Sequence, residues 1–263
     1  MKELIQVRLN DLAVDFNMDL NNGFVADYNT RKFNAMFGAA EPEVINVFGR
    51  VLKKGDTAMD GGANVGYHSL IMASLVGLEG KVLAFEPGPD NAEKLRRNVA
   101  LNRAKQVKVI EQPLWGSQKV VKLHMAADSG MHALHPHNTF GVVDIESTTI
   151  DAWHESPKLI KLDVEGSEIE ALIGAMDTVA ACKPFIVCEM CEDTLRYFGK
   201  GNHDLRSYAK RTFGYDTWVL LKKHFYPLLV PEGVEVVTTI MNLNVMFATV
   251  DMVGKYFDRI EYE

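Results

Sequence analysis

Carboxylates close apolar stretches at four points of this chain: Asp60 after Thr57-Ala58-Met59, Glu86 after Lys81–Phe85, Asp163 after Lys158–Leu162, and Glu189 after Phe185–Cys188. An acid at such a position is costly unless it is paired or used. Open α/β sheets bind their ligands at these strand ends. The first acid begins Asp60-Gly61-Gly62-Ala63-Asn64-Val65-Gly66, a turn spaced Asp-x-Gly-x-Asn-x-Gly. Gly62 and Gly66 let the backbone turn sharply and approach a ligand, where a Cβ would collide with it. Asp60 can accept hydrogen bonds from an ammonium. A dinucleotide's pyrophosphate would instead seek free helix N-terminal amides, and an acid there would repel it. The loop therefore favours S-adenosylmethionine over NAD.

Glu86 lies 26 residues beyond Asp60 and precedes Pro87, which ends strand pairing. That places it to accept both hydroxyls of a ribose. Gln112, in Glu111-Gln112-Pro113-Leu114, falls beside the adenine after the next strand. Asp60, Gly62, Asn64, Gly66, Tyr67, Glu86, Pro87, Gln112 and Asp163 are the expected cofactor contacts. Asp163 and Glu165 alternate with Leu162 and Val164, which predicts that they share one face of a strand. A hydroxyl acceptor needs a base beside the reacting carbon. Asp163 is the first choice, with Glu165 or Glu189 in support; His68, beside the glycine loop, is the second.

The elements that must position these groups alternate. Strands are expected at Thr57–Met59, Lys81–Glu86, Gln106–Glu111, Lys158–Val164 and Phe185–Glu189, and two late ones at Asp216–Leu221 and Asn244–Val250. Helical spacing covers Pro42–Leu52, Tyr67–Leu75, Asp90–Asn102 capped by Asp90 or Asn91, Ser167–Ala181 capped by Ser167, and His203–Phe213. This βαβα order predicts an α/β, Rossmann-like, seven-stranded, mostly parallel sheet with helices on both faces and an antiparallel closing pair. Residues 1–54 read as an N-terminal extension, with a strand in Leu4–Leu12 and a turn at Asn21-Asn22-Gly23, ahead of a catalytic domain at 55–263. Within that domain, 116–149 reads as an insertion and a substrate lid, because a long irregular segment between sheet strands is commonly functional. Its Lys119–Met125 is strand-like.

His132, His135 and His137 with Asp128 could offer metal ligands, but Pro136 fixes a turn in place of a regular helical scaffold. No metal is expected; substrate contact and a solvated loop stay open for this run. Cys182, Cys188 and Cys191 are odd in number and clustered, which points to structural or buried thiols and away from a disulfide framework. Net charge is −7 with no Lys/Arg block, so nucleic acid and anionic membrane surfaces are poor partners. The longest apolar run, Leu70–Leu78, is too short to span a bilayer, and the first residues lack a signal core. A cytoplasmic location follows as an expectation; oligomeric state is not legible.

The segments DGGANVGYHS, FEPGPDNAEKLRRNVALN, IKLDVEGSEIEALIGA and PFIVCE strongly resemble the FkbM family of S-adenosylmethionine-dependent methyltransferases. The resemblance runs from about Pro42 to Glu189, with a weaker echo at Gly214-Tyr215 and Asn244–Phe247, and its most specific part is the K-x-D-x-E-G-x-E segment. It implies a class I methyltransferase fold and O-methylation of a hydroxyl on a sugar or a secondary metabolite. The family's motif residues fall here on Asp60, Gly62, Asn64, Gly66, Glu86, Pro87, Asp163, Glu165, Gly166, Glu168 and Glu189. Gln112-Pro113-Leu114-Trp115 and the His132–His137 run depart from the family pattern. N-methylation of an amide or amine, for example on a peptide side chain, and a catalytically idle cofactor-binding protein are the alternatives.

Overall fold

A computed structural model describes residues 4–9, 14–19, 41–126, 132–136, 139–221, 224–227 and 242–257. Strands β1 (Leu4–Leu9) and β2 (Val14–Asp19) form an antiparallel hairpin. Helix α1 (Pro42–Val51) starts on a proline, whose fixed φ suits a first turn, and buries Val44, Val47, Phe48 and Val51 along one stripe. It packs into the same core as the sheet that follows, although it precedes the expected boundary at 54.

That sheet holds β3 (Thr57–Gly61), β4 (Lys81–Phe85), β5 (Val107–Ile110), β8 (Leu159–Leu162), β9 (Phe185–Cys191), β10 (Asp216–Leu221), β11 (His224–Pro227) and β12 (Asn242–Ala248). Its order is β11-β10-β12-β9-β8-β3-β4-β5. β5, β4, β3, β8 and β9 run parallel; β12 is antiparallel to both β9 and β10. This is the expected seven-stranded methyltransferase sheet, with β11 added at one edge.

Strand side chains alternate between faces, and the core divides accordingly. Ala58, Val82, Leu159, Val187 and Met246 join α1, α2 (Tyr67–Val76) and α3 (Pro89–Leu101) on one face. Met59, Leu83, Ile160, Cys188 and Val245 pack on the other with α4 (Glu168–Ile173), α5 (Met176–Cys182) and α7 (Asn202–Phe213). Two short helices, α6 (Glu192–Arg196) and α8 (Val250–Tyr256), complete the set. No helix among the described residues is long and apolar enough to cross a membrane.

Several boundaries differ from expectation for local reasons. The single helix expected over Ser167–Ala181 is two, because Asp151 accepts the Asp177 and Thr178 amides at 3.2 and 2.8 Å and so caps a fresh start. Ser167 does not cap α4: its hydroxyl donates to the Val164 carbonyl at 2.9 Å, and Glu168 takes the Val164 and Gly166 amides. α3 begins at Pro89, one residue before either expected cap, with Gly88 at its N-cap. β9 runs on to Cys191. The insertion holds a ribbon, β6 (Val120–Ala126) paired antiparallel with β7 (Thr139–Glu146). β7 carries no buried face, hence no alternation to read from sequence. Asn21-Asn22-Gly23, Asp128 and His137 lie outside the described residues.

Candidate active site

The loop after β3 is pinned by its own backbone. Gly62 and Ala63 amides both donate to the Phe85 carbonyl, at 3.0 and 2.9 Å. Gly62 has φ +76°, and a Cβ there would overlap the Asp163 carbonyl oxygen. Gly66 has φ +96°, and its Cβ would meet Leu95 Cδ1 at 2.5 Å. Both positions therefore demand glycine, and the loop lies flat against the β8 terminus.

A cavity opens beside this loop. Gly62, Asn64, Glu86, Pro87, Gln112 and Asp163, six of the expected cofactor contacts, line it. Phe85, Asn91, Pro113 and Leu114 add wall, Glu165 and Ser167 the β8 side, and Leu123 with His132–Leu134 the side of the insertion. Glu86 Oε2 accepts the Asn64 amide and Oε1 the Gly88 amide, both at 2.8 Å, with Asn91 also bonded to its side chain. Burial nevertheless pushes the Glu86 carboxyl up to about 7. Asp60, Gly66 and Tyr67 do not line the cavity. Asp60 is fully buried and accepts Ser69 Oγ at 2.5 Å, so its carboxylate anchors the loop and is turned away from the cavity. Tyr67 packs against the first-face core.

At the β8 end a second polar group begins, organised by the lysine that opens the K-x-D-x-E-G-x-E segment, to which the motif reading assigns no role. Lys161 is 4% exposed, 3.0 Å from Asp163 Oδ2 and 3.8 Å from Asp60 Oδ1. Burial disfavours its charge, but Asp163, Asp60 and Glu41 outweigh that and raise its pKa further. Burial would raise Asp163, yet the Lys161 charge and hydrogen bonds from Lys161 and Glu189 hold it below the usual carboxylate range. Glu189 is pushed up to about 10, first by the Asp163 charge and then by burial. At neutral pH Glu189 is thus a carboxylic acid donating to an ionised Asp163.

β8 ends at Leu162, so strand alternation does not carry Glu165 onto the face of Asp163; Glu165 sits in the following turn at φ +53°. That turn still brings oxygens of Asp163, Glu165 and Glu189 within 4.8 Å of one another. Such a group could hold a cation, although Lys161 and the Glu189 proton already offset part of its charge. His68 is placed apart from the cavity, 3.4 Å from Glu41 Oε2. Burial and then the Lys161 charge push it down to about 3, so it is neutral, the Glu41 contact is no ion pair, and His68 makes a poor base. Asn244, donating to Glu41 at 2.8 Å and to Glu43 at 3.2 Å, closes this side.

The strand order and the glycine loop define a Rossmann-like methyltransferase fold with an acid-lined cavity at the strand ends. The chain belongs to the family of the methyltransferase FkbM domain, whose model matches residues 60–217. It is 28% identical over 158 residues to a hexuronic acid methyltransferase, AglP, of Haloferax volcanii, across 57% of this chain and 62% of the relative. The chain therefore spans less than two thirds of that curated relative's length. The solved structure of methyltransferase FkbM from Methylobacillus flagellatus KT shares the fold, with a TM-score of 0.50 at 20% identity over 84% of this chain and 53% of that one.

Proposed function

We propose that this chain is an S-adenosylmethionine-dependent methyltransferase that methylates a hydroxyl, most simply on a sugar. One observation carries the reading: Asp163 both lines the cavity beside the glycine loop and is held ionised by Lys161, so cradle and base meet at one residue. The residues present suit the cofactor. The Gly62 cradle has no room for a side chain, and Glu86 offers carboxylate oxygens for a ribose diol. S-adenosylmethionine, when bound, supplies a methyl group activated by a sulfonium.

The chain's own residues then have separable tasks. The walls around Asp163 hold the acceptor oxygen in line, and positioning of this kind supplies much of the rate. As the hydroxyl oxygen gains its methyl carbon, its proton becomes strongly acidic, and a weakly basic carboxylate suffices to accept it. Glu189 keeps its own proton in the ground state and donates to Asp163, fixing the carboxylate's orientation. The β6–β7 ribbon with residues 132–136 covers the cavity's outer side, in keeping with a lid. The hexuronic acid relative makes sugars the first acceptor class to test.

Asp163→Asn preserves size and most hydrogen bonding while removing the base. Turnover should fall by roughly 10²–10⁴, with S-adenosylhomocysteine affinity changed far less. Near-normal turnover would remove Asp163 from that role. Product analysis showing methyl solely on nitrogen would replace O-methylation by N-methylation. Cofactor binding without transfer to any acceptor would leave an idle binding protein.

A further inference from the structure

Residues 132–136 return to the sheet from the insertion and are fixed at two points. His124 and Ala133 exchange backbone hydrogen bonds, at 2.8 and 3.2 Å, which ties the stretch to β6. His135, 4% exposed, stacks on Tyr197 with ring centroids 4.0 Å apart and an interplanar angle of 9°. It also meets Phe198 edge-on at 5.6 Å. Next to the first anchor, His132 reaches the wall of the cavity that Glu86 also lines.

The approach is close enough to be read from Gly88. The point a Cβ on Gly88 would occupy lies 2.5 Å from His132 Cδ2, 3.4 Å from His132 Nε2 and 2.8 Å from Glu86 Oε1. The imidazole edge and the carboxylate therefore come together over Gly88, where no further atom fits, and both also line the neighbouring cavity. His132 Nδ1 accepts the Ala126 amide at 3.1 Å. A neutral imidazole accepting at Nδ1 carries its proton on Nε2. The cavity is thus flanked here by an N–H donor and by a carboxylate whose lone pairs exceed the bonds it accepts from Asn64, Gly88 and Asn91. A hydroxyl satisfies both: it donates to the carboxylate and accepts from the ring. A vicinal diol does so most completely.

We propose that His132 is a ribose-contact residue supplied by the insertion, so that binding the cofactor's diol clasps the β6–β7 ribbon onto the sheet. The inference rests on the methyltransferase reading above and adds a cofactor contact that motif matching does not assign. It also gives the ribbon a reason to be ordered before the acceptor arrives, since the diol and the His132 segment stabilise each other reciprocally.

The test is calorimetric titration of S-adenosylhomocysteine into wild-type, His132→Ala and His132→Gln proteins, with amide hydrogen exchange of 120–126 followed in parallel. Glutamine retains an N–H donor at similar reach. Wild-type protein should bind and gain protection in the ribbon; His132→Ala should bind about 10-fold more weakly and lose that gain, and His132→Gln should recover most of both. Failure of wild-type protein to bind would overturn the methyltransferase reading itself. Wild-type binding with unchanged affinity in His132→Ala would overturn the His132 proposal alone. A loss that glutamine does not repair would assign the effect to packing and would overturn it as well.

Discussion

Lys161→Met is the most informative perturbation of the site, because it removes one charge from between two carboxylates and leaves a side chain of similar length. At an effective dielectric near 20, attraction to Asp163 at 3.0 Å is about 5 kcal/mol and to Asp60 at 3.8 Å about 4 kcal/mol. Much of that offsets the desolvation of an ammonium whose side chain is 5% exposed. Breaking a buried pair by deleting one partner costs roughly 3–5 kcal/mol, since the other charge stays buried. The signs are fixed by the shifts. Asp163 is lowered from 3.8, so its share of stability is present above that value and disappears as pH falls through its folded pKa. Lys161 is raised from 10.5, so its share is full below that value and is lost as pH climbs through its folded pKa. The deficit in Lys161→Met should therefore be largest between these limits. Urea unfolding at pH 7 reads it, and the acid limb of kcat/KM should move upward by roughly 1–2 pH units as Asp163 loses its counter-charge. Adding Asp60→Asn should recover part of the stability, because asparagine can still accept from Ser69. A Lys161→Met protein within 1 kcal/mol of wild type and with an unmoved acid limb would refute the charge assignment at β8.

Two further outcomes follow from the same geometry. Glu86, raised to about 7 by burial, must be ionised to accept a diol well, so S-adenosylhomocysteine affinity should rise from pH 6 to pH 8 in wild type and stay flat in Glu86→Gln; equal pH slopes in calorimetry would take Glu86 out of the site. Turnover should persist in EDTA, since Lys161 and the Glu189 proton already balance part of the acid group; loss in chelator with recovery by one specific divalent ion would show that Asp163, Glu165 and Glu189 hold a metal.

The parallel strands and the cofactor loop were legible because glycine spacing and strand-end acids are local signals. Gly62, Asn64, Glu86, Gln112 and Asp163 could be brought to one cavity by strand order alone. Glu165 misled because alternation was extended past Leu162, where Glu165 and Gly166 adopt positive φ and turn the chain. Asp60 lies at its strand's end, as the loop reading placed it, but nothing in the loop reveals that Ser69, nine residues on, takes the carboxylate inward. β7 was illegible, since a ribbon strand exposed on both faces has no period to detect.

Lys161 and Asn244 carried a signal, but one that needs parity and register together. Lys161 alternates with the inward-facing Ile160 and Leu162 and so falls on the α1–α2 face; register sets it beside Asp60 on β3. Two residues beyond Lys161, just past the end of β8, is Asp163, and two beyond Lys161's partner Val187 on β9 is Glu189, itself opposite Asn244 on β12. Two adjacent rows thus cross the sheet: Asp60 with Lys161, then Asp163 with Glu189 and Asn244. A charge in the first row acts on the second across a single strand repeat. The glycine loop's anchor and the proposed base share one ammonium, so a substitution that unsettles either carboxylate reaches the other through Lys161. A lysine two residues before a strand-end acid, in a strand otherwise apolar, is the pattern that announces such a pair.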